Sequence, residues 1–247
     1  MENVKRFDFF GVPVDVVRPE HLEDVLFALL DQPGTKQIFF LTIWDVLKAM
    51  VSADFRMRVK NASLVLPVSK SIASGIKFLH KTDIVRYYPF KALIQFFTIL
   101  EHRYKSLYLL GGHPEMLFVS EKNIKNTFKS LQIVGRVPGY FSNKMEKDIL
   151  LAIFKANPSM VLVGDGIKNG EKWIYERRNS FSNSIFVHYK DAYAIFSQKK
   201  KKLSQESFDK GREIWFHVAK NPLKIFLLFP YMYYLLMLIG AKLFNKK

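Results

Sequence analysis

The 247-residue chain has no cysteine, which excludes disulfide bonds, thiolate zinc sites and a cysteine nucleophile. It has no internal repeat, and its only low-complexity stretch is the lysine run at residues 199–202. The N-terminus lacks an apolar stretch long enough for a secretory signal, so we expect the body of the protein to stay in the cytoplasm. With no GxxxxGK[ST] loop and no His/Asp/Glu cluster at metal-ligand spacing, the sequence supports neither a metal nor a cofactor.

Acidic residues are scarce: 22 Asp and Glu stand against 38 Lys and Arg, for a formal net charge of +16. Such an excess indicates an anionic partner, which leaves nucleic acid, an acidic membrane surface or a phosphorylated substrate. Hydrophobic residues make up 49% and charged residues 24%, which is typical of a globular protein rather than a disordered one.

Short apolar runs alternate with helical patterns along the chain. Strands are predicted at residues 37–42, 62–67, 106–110, 132–134, 160–163 and 184–187, after a short hairpin or two strand fragments at 7–17. Helices are predicted at 19–30, 71–80, 90–103 and 145–155, and after Thr42 and the Gly111-Gly112 pair. This alternation favours an α/β, Rossmann-like fold with a mainly parallel sheet flanked by helices.

Parallel sheets of this kind bind ligands beyond the carboxyl ends of their strands. We therefore expect one rim of the sheet to carry Thr42, Asp45, Val68, Gly111, Gly112, Gly164 and Gly166. Glycines after a strand also occur for packing reasons alone, so the glycine pairs by themselves do not specify a ligand site.

The C-terminal part differs in character, and we divide the chain into a domain at 1–205 and an appendage at 206–247. Residues 225–244 are almost uninterruptedly apolar, contain Pro230 and reach the length of a membrane span. Basic residues flank this run, and tyrosines within it suit a membrane interface. We expect a hydrophobic membrane appendage, either a single span or a kinked re-entrant segment. A C-terminal core helix is the alternative, and a helix lying on the membrane surface is the less natural interpretation because no polar face is visible.

Several motifs occur in a specific order and spacing. They are GVPVD from Gly11, LVLP from Leu64, LYLLGGHPE from Leu107, IVGRVPGYF from Ile133 and VGDGIKNGEKWI from Val163. Taken together over almost the whole chain, they resemble the bacterial WecG/TagA/CpsF glycosyltransferase family.

The resemblance implies a Rossmann-type enzyme that moves a sugar from a UDP-sugar to an undecaprenyl-diphosphate-linked glycan. It places the protein at the cytoplasmic face of the cell membrane, in cell-surface polysaccharide synthesis, with the tail contacting anionic lipid. UDP-sugar is then a substrate, and no separate cofactor is expected. The candidate substrate-binding residues are Thr42, Arg86, Gly111, Gly112, His113, Tyr140, Gly164, Gly166, Glu171 and Asp191.

The sequence departs from the family pattern where the chemistry is expected. After LVLP the family has Asp-Gly, whose Asp is the proposed catalytic base, whereas this chain has Val68 and Ser69. Trp44 stands where the family has Asn. The family's Pro-Lys-Gln is replaced by residues 168–170, reading Lys-Asn-Gly, and its Val-Gly-Gly by residues 187–189, reading Val-His-Tyr.

Valine cannot accept a proton from an acceptor hydroxyl, so the usual base is lost at Val68. We predict that Asp165 or Asp45, which follow strands on the same rim, takes that role. His113 is either a contact to a diphosphate and a base near neutral pH or a solvated loop histidine. Arg86 suits phosphate oxygens, with a surface ion pair as its alternative. Tyr140 suits a sugar pocket, with core packing as its alternative.

The sequence is consistent with three functions. The first is a membrane-associated glycosyltransferase. The second is a catalytically degenerate relative that acts as a binding or assembly partner of a polysaccharide enzyme, which the Val68 and Gly170 substitutions favour. The third, a nucleic-acid binder, has only the charge in its favour, and we expect no nucleic-acid partner. The sequence leaves a homo-oligomer open.

Overall fold

The computed structural model describes residues 3–211 and 228–244. Its strands are β1 (Lys5–Phe9), β2 (Val12–Val16), β3 (Lys36–Leu41), β4 (Leu64–Pro67), β5 (Ser106–Leu110), β6 (Gln132–Val137), β7 (Met160–Val163) and β8 (Ile185–His188). Its α-helices are α1 (Leu22–Leu30), α2 (Ile43–Val51), α3 (Ala53–Lys60), α4 (Lys70–His80), α5 (Pro89–His102), α6 (Pro114–Thr127), α7 (Glu146–Ala156), α8 (Gly170–Arg177), α9 (Ala192–Phe196), α10 (Gln205–Asp209) and α11 (Leu228–Phe244). Short 3-10 turns lie at Pro19–His21, Asn143–Met145 and Arg178–Ser180.

Six of the strands form one sheet in the order β4-β3-β8-β7-β5-β6, and every neighbouring pair is parallel. The prediction of a mainly parallel sheet is confirmed. Because all six strands run the same way, their carboxyl ends meet at one rim. Although β7 and β8 come last in the chain, they lie in the middle of the sheet, between β5 and β3. The loops after β7 and β8 therefore stand at the centre of that rim.

Helices pack on both faces of the sheet, because successive side chains of each strand point to opposite faces. On β5, Leu107 and Leu109 belong to the core layer that holds α1, α5, α6 and α9. Tyr108 and Leu110 point the other way, into a layer with α7 and α8. The β3 and β4 end of that second face is covered by α2, α3, α4 and the N-terminal hairpin. Strands buried on both faces explain the continuous apolar runs in the sequence. The helix-flanked, Rossmann-like arrangement is thus confirmed.

The hairpin of β1 and β2 covers the β4 edge of the sheet. Its two-residue turn, Phe10-Gly11, has φ of 53° and 79°, the combination that a type I′ turn requires. Asp15 on β2 is fully buried, and its Oδ2 accepts the Val65 N–H of β4 at 2.7 Å. Arg6 donates to both oxygens of the same carboxylate, at 2.6 and 2.7 Å. One carboxylate therefore joins the hairpin to a strand edge that would otherwise lack a partner.

Backbone hydrogen bonds join the loops that follow β5, β6 and β7, and we call this contact the glycine interlock. Its bonds run from Gly111 N–H to Val137 O (2.9 Å), Gly112 N–H to Asp165 O (2.6 Å), Gly139 N–H to Gly112 O (2.8 Å), Tyr140 N–H to Gly166 O (2.9 Å) and Gly164 N–H to Leu110 O (2.8 Å). These bonds hold three loops from three strands as one surface.

Close approach in the glycine interlock leaves no room for side chains. A Cβ added at Gly111 would lie 2.7 Å from the carbonyl oxygen of Asp165, and Gly111 itself has a φ of +114°. A Cβ at Gly164 would lie 2.3 Å from the ring of Tyr193. That ring is 1% exposed, and its hydroxyl donates to the Leu162 carbonyl at 2.7 Å, so it has nowhere to move. The glycines after β5 and β7 are therefore required sterically.

The C-terminal helix α11 packs along α4. The Tyr234 hydroxyl donates to the Ser71 carbonyl oxygen at 2.7 Å, and Lys242 Nζ donates to the Phe78 carbonyl oxygen at 2.6 Å. Tyr234 is 1% exposed and meets the hairpin at Phe9 and Phe10. The helix thus has one face fixed to the α/β body. The predicted membrane appendage and its alternative, a C-terminal core helix, stay predictions.

Within residues 3–211 and 228–244, no helix combines the length and apolar character needed to cross a bilayer. The predicted span begins at residue 225, so its first three residues lie outside the described part of the chain, as do the basic residues expected before it, Arg212, Lys220 and Lys224. The predicted division between residues 205 and 206 falls at the start of α10 and stays a prediction.

We expect Asp15→Ala to lower the free energy of unfolding by about 1–3 kcal/mol, because the Val65 N–H is left buried without an acceptor. The measurement is urea denaturation, with the change read from the midpoint at constant slope. Asp8→Ala on the same hairpin is the matched control. Asp8 is exposed and accepts only the Gly11 N–H at 3.0 Å, so its loss should cost less. Equal destabilisation by the two variants would contradict the role of Asp15.

Gly164→Ala should destabilise the fold by about 1–3 kcal/mol, since its methyl group overlaps a buried ring that cannot shift. Thermal unfolding should register this as a drop of several degrees in Tm for a chain of this size. Gly240→Ala in α11 is the control, because nothing lies within 4 Å of its added Cβ. An unchanged Tm for Gly164→Ala would show that the interlock tolerates a side chain.

Candidate functional site

A cleft of about 440 Å³ opens beside the glycine interlock at the centre of the rim. We call it the β7/β8 cleft, and its lining comprises Tyr140, Asp165, Gly166, Ile167, Lys168, Asn169, Gly170, Glu171, His188 and Lys190. The structure thus brings four predicted site residues together here, namely Tyr140, Asp165, Gly166 and Glu171. The cleft combines two carboxylates with two lysines and an imidazole, a set that suits a polar, phosphorylated ligand.

One wall of the cleft is built from Asp165 and Tyr140. Tyr140 has a φ of +60° and is half-exposed, and its hydroxyl donates to Asp165 Oδ2 at 2.7 Å. This hydrogen bond lowers the pKa of the Asp165 carboxyl and raises the pKa of the Tyr140 hydroxyl. Lys190 Nζ lies 3.8 Å from Asp165 Oδ1. The imidazole of His113 stacks on the Tyr140 ring at 4.3 Å, so His113 supports this wall from the β5 loop.

The opposite wall is built from Glu171 and His188. Glu171 lies in the first turn of α8, and His188 is the last residue of β8. Their closest atoms, Glu171 Oε1 and His188 Nδ1, are 2.5 Å apart. Burial raises the pKa of Glu171, but the hydrogen bond with His188, helped by the positive charge of Lys48, outweighs it, and the pKa ends below its ordinary value. The Glu171 carboxyl is therefore ionised at neutral pH.

Helix α8 is held firmly by Glu146, the first residue of α7. The Trp173 indole donates to Glu146 Oε1 at 2.6 Å, and Arg177 donates to both Glu146 oxygens at 2.9 and 3.0 Å. The paired Arg177 guanidinium lowers the pKa of Glu146. The Trp173 of the sequence motif is therefore a structural residue, and its hydrogen bond fixes the helix that carries Glu171.

A second hollow of about 390 Å³ adjoins the β7/β8 cleft. Gly166, Ile167, Lys168 and Asn169 line both spaces, so this loop stands between them. The far side of the second hollow carries charged residues of α7 and α8, namely Glu146, Lys172, Glu176 and Arg177. A ligand longer than the first cleft has room to extend past the loop into the second.

Thr42 and Val68 lie instead at a separate, mostly apolar cavity of about 200 Å³, the Thr42 cavity. Thr42 is the N-cap of α2, and Asp45 Oδ2 accepts both its N–H at 2.8 Å and its hydroxyl at 2.6 Å. Burial raises the pKa of Asp45, and these hydrogen bonds oppose the shift. Asp45 completes a capping box, and its oxygens are occupied by that structural role.

Asp191 and Arg86 also stand outside the β7/β8 cleft. Asp191 lines the Thr42 cavity and forms an ion pair with Lys200. Arg86 Nη2 donates to the Phe208 carbonyl oxygen at 2.6 Å, and its guanidinium lies 4.3 Å from the Phe208 ring centre. It also donates to the Val68 carbonyl oxygen at 3.3 Å. These contacts tie the loop after β4 to α10.

The glycines predicted to bind substrate have two different roles in the structure. Gly166 lines the β7/β8 cleft, whereas Gly111, Gly112 and Gly164 form the interlock beside it. The amides of those three glycines are bonded to loop or strand carbonyls, so they support the cleft wall from behind.

Sequence reasoning did not select His188, Lys168 or Lys190 as functional. A signal was present, because β8 was predicted and residues after any strand of a parallel sheet reach the same rim. His188 and Lys190 stand at that position. Across residues 3–211 and 228–244, no three His, Asp or Glu side chains are grouped so that they could hold a metal ion.

Comparison with known proteins identifies the family of this chain. An N-acetylglucosaminyldiphosphoundecaprenol N-acetyl-beta-D-mannosaminyltransferase from Bacillus subtilis (strain 168) is 23% identical over 177 residues, covering 70% of this chain and 67% of the relative. The protein of the same name from Bacillus spizizenii is 20% identical over 175 residues, covering 71% and 67%. The sequence profile of the Glycosyl transferase WecG/TagA/CpsF family matches residues 7–247. The chain therefore belongs to the WecG/TagA/CpsF glycosyltransferase family.

Proposed function

We propose that this protein transfers a sugar from a UDP-sugar to a polyprenyl-diphosphate-linked acceptor at the cytoplasmic face of the membrane, in cell-surface polysaccharide synthesis. The observation that carries the proposal is the β7/β8 cleft, which gathers carboxylates, lysines and an imidazole at the centre of the rim. Membership of the family supplies the reaction class, and the names of the two Bacillus relatives supply the type of acceptor and sugar.

The donor diphosphate fits between the two walls of the cleft, within reach of Lys168, Lys190 and the start of α8. A helix N-terminus attracts anions through its free amides and its dipole, and the described residues give α8 no side-chain cap. The lysines add positive charge against the phosphates. The Asp165 and Tyr140 wall then offers hydrogen bonds to sugar hydroxyls.

The substrate-binding role of the other predicted residues stays a proposal. Gly111, Gly112, Gly164 and His113 would act by shaping the cleft wall. Thr42 and Asp191 line the Thr42 cavity, which would take a neighbouring part of the substrate. Arg86 lies further out, at the junction of the β4 loop and α10.

The acceptor carries a lipid, and α11 offers a surface that would meet the membrane. Away from α4, α11 exposes a set of large apolar side chains, namely Phe229, Met232, Tyr233, Leu236, Ile239 and Leu243. A helix packed on the protein by one face and apolar on the other suits insertion into the interfacial layer. The net charge of +16 would add attraction to anionic lipid.

A second candidate function rests on Val68. If no other group replaces the base that the family carries there, the chain would bind a UDP-sugar without transferring it and serve as a binding or assembly partner. The assay below separates the two functions.

Purified protein with UDP-N-acetylmannosamine and a short-chain prenyl-diphosphate N-acetylglucosamine should release UDP and form a disaccharide lipid, followed by mass spectrometry. Lys168→Ala and Lys190→Ala together should weaken donor binding at least tenfold by calorimetry, because two cations facing the diphosphate are lost. Lys122→Ala with Lys129→Ala, two exposed lysines that line no described cavity, is the charge-matched control. Donor binding without product would favour the second candidate, and no binding of any UDP-sugar would contradict both.

Leu236→Glu with Ile239→Glu should release the protein from vesicles containing phosphatidylglycerol, since two charges enter the apolar face of α11. The measurement is co-sedimentation with the vesicles. Val51→Glu is the control, because Val51 is 87% exposed and lies on α2 rather than on α11. Sedimentation of the double variant at the wild-type level would rule out membrane attachment through this face.

A further inference from the structure

His188 is placed as a proton acceptor within the β7/β8 cleft. Its Nδ1 faces the ionised carboxylate of Glu171 at 2.5 Å, so Nδ1 donates and Nε2 keeps its lone pair. The His188 side chain is 12% exposed, and it borders the cleft together with Glu171. A carboxylate that orients an imidazole in this way fixes its tautomer and stabilises the protonated ring.

The space for this imidazole is made by Gly170. A Cβ added at residue 170 would lie 2.4 Å from His188 Cδ2 and 2.6 Å from Nε2. Gly170 opens α8 with no left-handed φ, so its backbone does not itself require glycine. The glycine is therefore needed for the ring of His188. Residues 170 and 188 therefore form one steric pair.

The carboxylates named from the sequence are less suited to accept a proton. Asp45 is absent from the cleft lining, and its Oδ2 is bonded twice by Thr42. Asp165 lines the cleft, but its hydrogen bond from Tyr140 lowers its pKa and makes it a weaker base. Val68, where the family carries its base, faces the separate Thr42 cavity. Both Asp assignments stay predictions, and the experiment below includes them.

We propose that His188, positioned by Glu171, is the general base of this glycosyltransferase. The inference rests on the proposed function. An acceptor hydroxyl oxygen attacks the anomeric carbon of the donor sugar, and its proton passes to His188 Nε2. The bond from that carbon to the diphosphate oxygen breaks, and its electron pair leaves with UDP. The proton on His188 returns to solvent after the product departs.

Charged groups surround the pair. Asp45 and Lys48 of α2 act on Glu171 from one side, and Lys168, Asp165 and Lys190 share the cleft on the other. Glu171→Gln should lower kcat more than it changes donor Kd, because the imidazole loses the ionised acceptor that fixes its tautomer. Glu171→Asp keeps a carboxylate toward His188 and should restore part of that loss.

The test is steady-state transfer by the full chain with matched variants. His188→Asn removes the base and keeps a donor toward Glu171, so kcat should fall about 10²–10⁴-fold, the typical contribution of a general base, with donor Kd changed less than threefold. Gly170→Ala should also lower kcat by displacing the ring. Asp165→Asn should act mainly on donor binding, and Asp45→Asn mainly on thermal stability, because it weakens the capping box that Asp45 forms with Thr42.

The outcomes separate the two proposals. Transfer by the wild type with an unchanged kcat for His188→Asn would overturn the role of His188 and leave the proposed function standing. A loss of 10²-fold or more in Asp165→Asn alone would assign the base to Asp165. Should His188→Asn fail to fold, the Glu171 variants decide, since a wild-type kcat for Glu171→Gln contradicts the pair. Absence of transfer by the wild type would overturn the proposed function and the base role together.

Discussion

Backbone hydrogen bonds among three glycine loops hold the rim of the sheet, and the rest of the site depends on them. Gly111 and Gly139 bring the β5 and β6 loops so close to the β7 loop that a Cβ added at either glycine would lie 2.7 Å from the Asp165 carbonyl oxygen. Buried Tyr193 fills the space beneath and bonds the Leu162 carbonyl. Because this contact is made by backbone atoms, it holds the loop without using the side chains that face the cleft.

Along one short segment, the residues that hold the loop in place differ from those that face the cleft. Gly164 and Gly166 hold the loop, while Asp165 between them points its carboxylate at Tyr140 in the cleft. Four residues later Gly170 opens α8 and makes room for His188 from the neighbouring strand. The cleft is therefore assembled from β7 and β8, the two central strands, and its contents differ from those at the Thr42 cavity on the β3 and β4 side.

The sequence predicted the parallel sheet, the rim and the hairpin because the spacing of apolar residues and the positions of glycines reflect the local backbone geometry. It missed α3 and ended β6 three residues early, since α3 alternates charged and apolar residues, and β6 is an edge strand with mixed burial. Among the residues that line the β7/β8 cleft, it selected Tyr140, Asp165, Gly166 and Glu171. It did not select His188, although that residue follows a predicted strand, because its steric pairing with residue 170 joins distant parts of the chain and appears in no local pattern.

Hydrogen–deuterium exchange with and without UDP-N-acetylmannosamine tests the central claim, that the β7/β8 cleft is the donor site, most directly. Peptides covering residues 164–171 and 188–190 should gain protection when the nucleotide sugar is added, because both line the cleft. Protection confined to peptides around Thr42, Val68 and Tyr88 would place the donor in the Thr42 cavity and contradict the account.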